Sequence, residues 1–170
     1  TIFLDRDGVI NKDTKYVYRI RDFQFIPGIF DACKYFLEID YQIIVITNQS
    51  GIGRGYYNKR DFKDINSWMI SEFNKNDINI LDVFYCPHLP EDCCDCRKPK
   101  PGMFFLAKNK YNIDMKNSWV IGDSERDIKA ANLAGIEKTI LLSRASEANQ
   151  TTSDAAFFLN SLKEISTIIF

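Results

Sequence analysis

The sequence carries almost no net charge: 22 Lys and Arg stand against 23 Asp and Glu, a formal −1. Such a balance advertises no surface for nucleic acid and none for a membrane. No apolar run reaches the length that crosses a bilayer. No signal-like segment stands before the first apolar run. No internal repeat and no domain linker is visible, so 170 residues are expected to form one domain, 1–170, with its own core. Histidine occurs once and cysteine five times, and four of those cysteines fall between Cys86 and Cys96 with His88 among them. That clustering argues for a metal site and against a disulfide framework, and with it for a reducing, cytoplasmic compartment.

What is present is organised around Phe3-Leu4-Asp5-Arg6-Asp7-Gly8. Ile2 to Leu4 read as a short buried strand. Asp5 and Asp7 follow, then a glycine that lets the backbone turn. Both carboxylates are expected at the carboxyl end of the strand, where open α/β sheets bind their ligands. Two carboxylates so close repel each other unless a cation sits between them. Mg2+ suits them, since it takes a few carboxylates together with water and phosphate oxygens.

Val9 to Pro27 alternates aromatic and charged residues and reads as a flap, either a hairpin or an irregular loop, beside that site. A helix is expected from Gly28 through Ile39, with Ile29, Ala32, Cys33, Phe36 and Leu37 on its buried face. Gln42 to Thr47 is a β-branched strand suited to burial on both faces. It runs into Thr47-Asn48-Gln49-Ser50-Gly51-Ile52-Gly53-Arg54-Gly55, a loop able to cradle an oxyanion or phosphate. Asn58 caps the next helix with Asp61 as its partner, and Phe62, Ile65, Trp68, Met69 and Phe73 form the buried stripe. Ile80 to Tyr85 is a third strand.

The segment Cys86 to Cys96 offers a Cys-x-His pair and a Cys-x-Cys pair. Cys86, His88, Cys94 and Cys96 suit a tetrahedral Zn2+ with no open position, a structural site that stiffens its loop. Cys93 is the spare thiol, and a Cys93 and Cys96 pair is the alternative. Arg97, Lys98 and Lys100 follow, three cations toward the same end of the sheet, in a position that favours phosphate binding. A helix from Met103 to Tyr111 and a strand from Ser118 to Gly122 come next. Asp123 then repeats the theme of the first strand and can complete its cation site. Asp127, one turn into the helix capped by Ser124, can support that site from behind or favour the helix amino end. That helix stops at Gly135. Lys138 to Leu142 is a strand, 145–153 a loop, Ala155 to Leu159 a short strand, and Ser161 opens a last helix. The alternation gives an α/β fold: a doubly wound, mostly parallel, Rossmann-like sheet flanked by helices, without a large cap domain.

Carboxylates, a hydroxyl-bearing loop, a lysine and a hard-cation site suit phosphoryl transfer. One aspartate can attack phosphorus, another can protonate the leaving oxygen and later activate water, and cations can neutralise the phosphoryl oxygens.

In order and spacing, Asp5-x-Asp7-Gly8, Thr47, Lys98 and Gly122-Asp123-x-x-x-Asp127 resemble the motifs of the haloacid dehalogenase superfamily of phosphatases. The resemblance implies that Asp5 is the nucleophile and Asp7 the general acid/base, and that Thr47 and Lys98 hold the phosphoryl group. It implies Mg2+ on Asp5, the Asp7 main-chain carbonyl and Asp123. Asp-Arg-Asp-Gly, Thr-Asn-Gln-Ser-Gly-Ile, Cys-Pro-His and Cys-x-Cys-Arg-Lys-Pro are similar, more narrowly, to the heptose 1,7-bisphosphate 7-phosphatases, which serve nucleotide-activated heptose, lipopolysaccharide and other surface glycans. In that family the zinc loop shapes the pocket. Arg97 would recognise substrate, and Asp13, Thr14, Lys15 and Tyr16 with Asn48, Gln49 and Ser50 would line the sugar site. Two departures stand out: Leu89 to Cys93 is a short linker between the zinc pairs, and Asp13 to Tyr16 lacks a His-Gly pair often found there.

A small phosphorylated sugar is therefore the expected partner, acting on a monomer without nucleic acid or membrane. A histidinol-phosphate phosphatase is the alternative. A nucleic-acid 3′-phosphatase and an inactive zinc-loop binding module stand behind it.

Overall fold

The computed structural model describes residues 1–142 and 153–170. The loop expected over 145–153 lies, except for Ser153, outside the described residues. Among the described residues, six strands, all parallel, form one sheet in the order β3-β2-β1-β4-β5-β6. In chain order they are β1 (Ile2–Leu4), β2 (Ile43–Asn48), β3 (Ile80–Cys86), β4 (Trp119–Gly122), β5 (Lys138–Leu142) and β6 (Phe157–Leu159). Four α-helices of the described residues link β1 through β5: α1 (Ile29–Glu38), α2 (Lys59–Asn74), α3 (Gly102–Tyr111) and α4 (Glu125–Leu133). The segment after β6, expected as a helix, is a 3-10 helix over Leu162–Thr167.

The alternation along the strands explains the two cores. Ile2, Leu4, Ile43 and Val45 face one side, where they meet Ile29, Phe36, Ile65, Met69 and Phe73 of α1 and α2. Phe3, Ile44, Ile46 and Val120 face the other, against Met103, Phe104 and Ala107 of α3 and Ala130 and Ala131 of α4. Central parallel strands are covered on both faces, so they read as unbroken apolar runs. Each fully buried Ile or Phe among them contributes roughly 1.5–3 kcal/mol.

Strand order reverses at β1, with β2 on one side and β4 on the other. The crevice at that switch point is where such sheets bind ligands, and the carboxyl ends of β1, β2 and β4 deliver Asp5, Thr47 and Asp123 to it.

The flap is an irregular loop with a closed base. Lys12 N–H donates to the Gln24 carbonyl at 2.9 Å and Ile26 N–H to the Ile10 carbonyl at 2.9 Å, with one 3-10 turn at Ile20–Asp22 between. Val17, Phe23 and Ile26 are buried in the core on the α1 and α2 side, whereas residues 12–16 and 19–22 are exposed.

Candidate active site

Asp5 leaves β1 with its backbone N–H bonded to the Ile121 carbonyl of β4 at 3.0 Å. Its carboxylate shares a small volume with those of Asp123 and Asp127, the ligand oxygens of all three lying within 4.8 Å of one another. Lys98 enters from beyond β3. Its ammonium lies 3.1 Å from Asp5 Oδ1 and 2.5 Å from Asp127 Oδ1, and donates to the Ile46 carbonyl at 2.8 Å. Lys98 and Asp127 are both nearly inaccessible to solvent.

Burial pushes the Asp5 carboxyl well above the ordinary carboxylate value; Lys98 opposes that, while Asp127, Asp123 and Asp7 add to it. Asp123 is pushed up to about 7, by burial first and by Asp127 second. Burial also disfavours the charged form of Lys98, but Asp127 and Asp5 outweigh it and hold the ammonium above its usual value. Three carboxylates against one ammonium leave negative charge uncompensated in a poorly solvated place. A hard divalent cation on carboxylate oxygens fits that donor set.

Asp7 departs from its place as a metal ligand through its side chain. Its carboxylate lies outside the cluster and accepts from Arg6 Nη2 at 2.9 Å, Asn11 Nδ2 at 3.0 Å and Gln49 Nε2 at 2.8 Å. Arg6 is fully buried, and its Nη2 also donates to the Val17 carbonyl of the flap at 2.8 Å. Thr47 is buried, and its hydroxyl accepts from Gln49 at 2.9 Å, which leaves its own proton to donate.

The site opens into a cavity of about 590 Å³. Asp13, Lys15, Tyr16, Asn48, Gln49, Ser50 and Arg97 line it, whereas Thr14 is exposed and does not. Two of the lining side chains are spent on the protein. Asn48 holds the Lys98 backbone, and the Gln49 amide is bonded to Asp7, Thr47 and Tyr57. Lys100, expected among the phosphate-facing cations, turns back onto the cysteine loop, donating to the Cys93 carbonyl at 2.9 Å and Asp95 at 3.3 Å. Arg54, Tyr57 and Arg126 line the cavity without having been expected there. Arg54 had a signal, a cation in the glycine-rich loop after a buried strand. Arg126 had a weaker one, a cation between Asp123 and Asp127. Tyr57 had none.

Cys86, His88, Cys94 and Cys96 converge, each offering one ligand atom within 4.8 Å of the others. His88 Nδ1 lies 3.5 Å from Cys86 Sγ and 3.2 Å from Cys96 Sγ. Cys93 is exposed, with a left-handed φ of 51°, and is not part of the group. Three thiols and one imidazole in closed array are a zinc donor set with no free position. Arg97 Nη1 reaches the His88 carbonyl at 3.3 Å, so this loop and the cavity cation are joined.

The HAD-hydrolase-like family model matches residues 95–165. The D-glycero-alpha-D-manno-heptose-1,7-bisphosphate 7-phosphatase of Campylobacter jejuni is 48% identical over 96% of this chain and 92% of its own length. The chain belongs to the heptose 1,7-bisphosphate 7-phosphatase family of HAD-like hydrolases. The Vibrio cholerae member, named for the beta anomer, is 41% identical over 96% of this chain and 92% of its own length. The D,D-heptose 1,7-bisphosphate phosphatase of B. bronchiseptica, solved with magnesium and phosphate, superposes with a TM-score of 0.86 at 30% identity. That match covers 98% of this chain and 95% of the other. The six-stranded parallel sheet is the HAD-like fold of this family, and its members support a phosphoric monoester hydrolase.

Proposed function

We propose that this chain is a Mg2+-dependent phosphatase that removes the 7-phosphate of D-glycero-D-manno-heptose 1,7-bisphosphate, in the supply of nucleotide-activated heptose for lipopolysaccharide or related surface glycans. The observation that carries it is the Lys98 ammonium set between Asp5 and Asp127 at the switch point, in a chain 48% identical to a relative of that name.

In this reading Asp5 attacks phosphorus and the bond to the C7 oxygen breaks, leaving a phosphoaspartate. Asp7 gives its proton to the departing oxygen. It then takes a proton from water as that water attacks the phosphoaspartate, which frees phosphate and restores both carboxyl groups. Lys98 and the Thr47 hydroxyl hold the phosphoryl oxygens. Asp5, Asp123 and the Asp7 backbone carbonyl would hold Mg2+, with Asp127 behind them. Bound there, the ion supplies positive charge for the phosphoryl oxygens.

Arg97, Lys15 and Arg54 on the cavity wall favour a ligand carrying a second phosphate. Asp13, Tyr16 and Ser50 share that wall and suit sugar hydroxyls. Cys86, His88, Cys94 and Cys96 would hold a structural Zn2+. Residues 1–170 act in this proposal as one catalytic unit, a cytoplasmic monomer; no helix among the described residues is long and apolar enough to cross a membrane.

The test is Mg2+-dependent phosphate release from both anomers of the heptose bisphosphate, beside histidinol phosphate and a 3′-phosphorylated oligonucleotide. Both anomers occur in the relatives' names, so each is assayed. A heptose bisphosphate turned over at least tenfold more efficiently than the other two substrates is expected. Histidinol phosphate in first place overturns the substrate. No release from any of them overturns the activity.

A further inference from the structure

We propose that Gln49 is a positioning residue for Asp7, clamped by Tyr57, and that it makes no contact with substrate. The inference rests on the acid/base role of Asp7 given above.

Gln49 is 2% exposed although it borders the cavity. A primary amide has two N–H bonds and one carbonyl oxygen. One N–H goes to Asp7 Oδ2 at 2.8 Å and the other to Thr47 Oγ1 at 2.9 Å, while Oε1 accepts from the Tyr57 hydroxyl at 2.6 Å. The orientation of the amide is fixed by those partners. Flipped, its oxygen would face the Asp7 carboxylate, acceptor against acceptor. Both protons of the amide are thus used inside the protein.

The arrangement restrains the Asp7 carboxylate from two sides. Asn11 holds Oδ1 at 3.0 Å and Gln49 holds Oδ2. Arg6 forks onto both oxygens from one nitrogen. An acid that must meet a leaving oxygen at hydrogen-bond distance gains from such restraint, since about 1 Å of misplacement can cost on the order of a hundredfold in rate.

Tyr57 is built to hold the amide. It is 5% exposed. Its ring stacks on Tyr18 of the flap with centroids 5.0 Å apart and planes 10° from parallel. A Cβ at residue 51 would lie 2.1 Å from Tyr57 Cε1, so Gly51 is what lets the ring lie there. The chain Tyr18, Tyr57, Gln49, Asp7 therefore ties the flap to the acid/base.

The experiment compares kcat/KM on two leaving groups, because kcat/KM reports only the steps through formation of the phosphoaspartate. The heptose alkoxide needs a proton to leave, whereas para-nitrophenolate does not. Gln49→Met is expected to lower kcat/KM about 10- to 100-fold on heptose 1,7-bisphosphate and less than about threefold on para-nitrophenyl phosphate. Tyr57→Phe, the milder variant, should show the same selectivity at roughly 3- to 10-fold. The double variant should fall no further than Gln49→Met alone, as expected for two residues acting through one bond. Equal losses on the two substrates, for either single variant, overturn the proposal. Losses that multiply in the double variant overturn the clamp. Should Gln49→Met fail to fold, Tyr57→Phe carries the comparison. Asp7→Asn is run beside them. If it too shows no leaving-group dependence, the acid/base reading falls and this inference with it. If Asp7→Asn discriminates and the Gln49 and Tyr57 variants do not, this inference alone falls.

Discussion

Asn48 holds the backbone of Lys98 through both ends of its amide: Nδ2 donates to the Lys98 carbonyl at 3.0 Å, and Oδ1 accepts from the Lys98 N–H at 3.1 Å. A strand end fifty residues earlier thus fixes the peptide that carries the buried ammonium. Asn48→Ala removes both bonds and frees the loop, so Lys98 loses its alignment with Asp5. We expect kcat to fall roughly 10-fold or more with KM changed less than about threefold. Steady-state kinetics check it; a rise in KM alone would make Asn48 a substrate contact.

Asp5→Asn removes the proposed nucleophile while keeping the shape of the side chain. Phosphate release should drop at least about a thousandfold, and the fold should remain by circular dichroism. Radiolabel from a phosphate-labelled substrate should be trapped on the wild-type chain after acid quench and not on the variant.

Stripping the Zn2+ proposed on Cys86, His88, Cys94 and Cys96 should lower activity through Arg97. The Arg97 guanidinium is joined to the loop by the His88 carbonyl at 3.3 Å. A chelator selective for zinc, with Mg2+ kept in excess, is expected to raise KM for the bisphosphate several-fold and to lower the melting temperature. Zinc content measured before and after fixes the interpretation: full activity of a zinc-free protein would remove the loop from the site's support.

Gly8→Ala should damage the site more than the fold's core. A Cβ at this position would lie 1.8 Å from Asp123 Oδ2, and φ is +93°, a left-handed conformation that a side chain disfavours. The carboxylate must move, so the Mg2+ concentration giving half-maximal activity should rise by about tenfold or more. A titration of activity against Mg2+ reads it.

Asp82 predicts an acid-range signature away from the site. Burial alone would raise its carboxyl, but donors from Lys110, the Val83 N–H and Tyr111 outweigh that and hold it below the ordinary value of 3.8. A depressed folded pKa gives stability that is present above 3.8 and is lost as pH falls through the folded value. Asp82→Asn should therefore cost about 1 kcal/mol at neutral pH. The deficit should shrink toward zero below the ordinary carboxylate range in denaturant melts, and a constant deficit across that range would exclude the assignment.

The chain's periodicities made most of the sheet legible. Runs such as Ile43 to Asn48 and Trp119 to Gly122 lie within a residue or two of the strands expected, because a strand covered on both faces has to be apolar throughout. Asn58 with Asp61 reads as a cap and is one, with Asn58 Oδ1 accepting from Arg60 and Asp61 at 2.8 and 3.0 Å. The last helix was less legible. Leu162–Thr167 is a 3-10 helix, and a pattern of only six residues does not separate the two helical periods.

Residue type and order by themselves determined the chemistry available: aspartates after two apolar strands, a threonine at the end of a third, a lysine beyond a cysteine cluster. They could not determine which polar groups each side chain would meet, since those partners come from distant segments. Asn48 and Gln49 are adjacent at the end of β2 and look alike in sequence, yet one clasps Lys98 and the other is divided among Asp7, Thr47 and Tyr57. Asp7 looked like a twin of Asp5 and instead faces Arg6, Asn11 and Gln49. A buried polar atom takes whichever partner the packing brings within hydrogen-bond distance, because leaving it unpaired costs about 1–3 kcal/mol. Only the tertiary structure, by bringing β1, β2 and the Lys98 loop to one end of the sheet, decided those pairings.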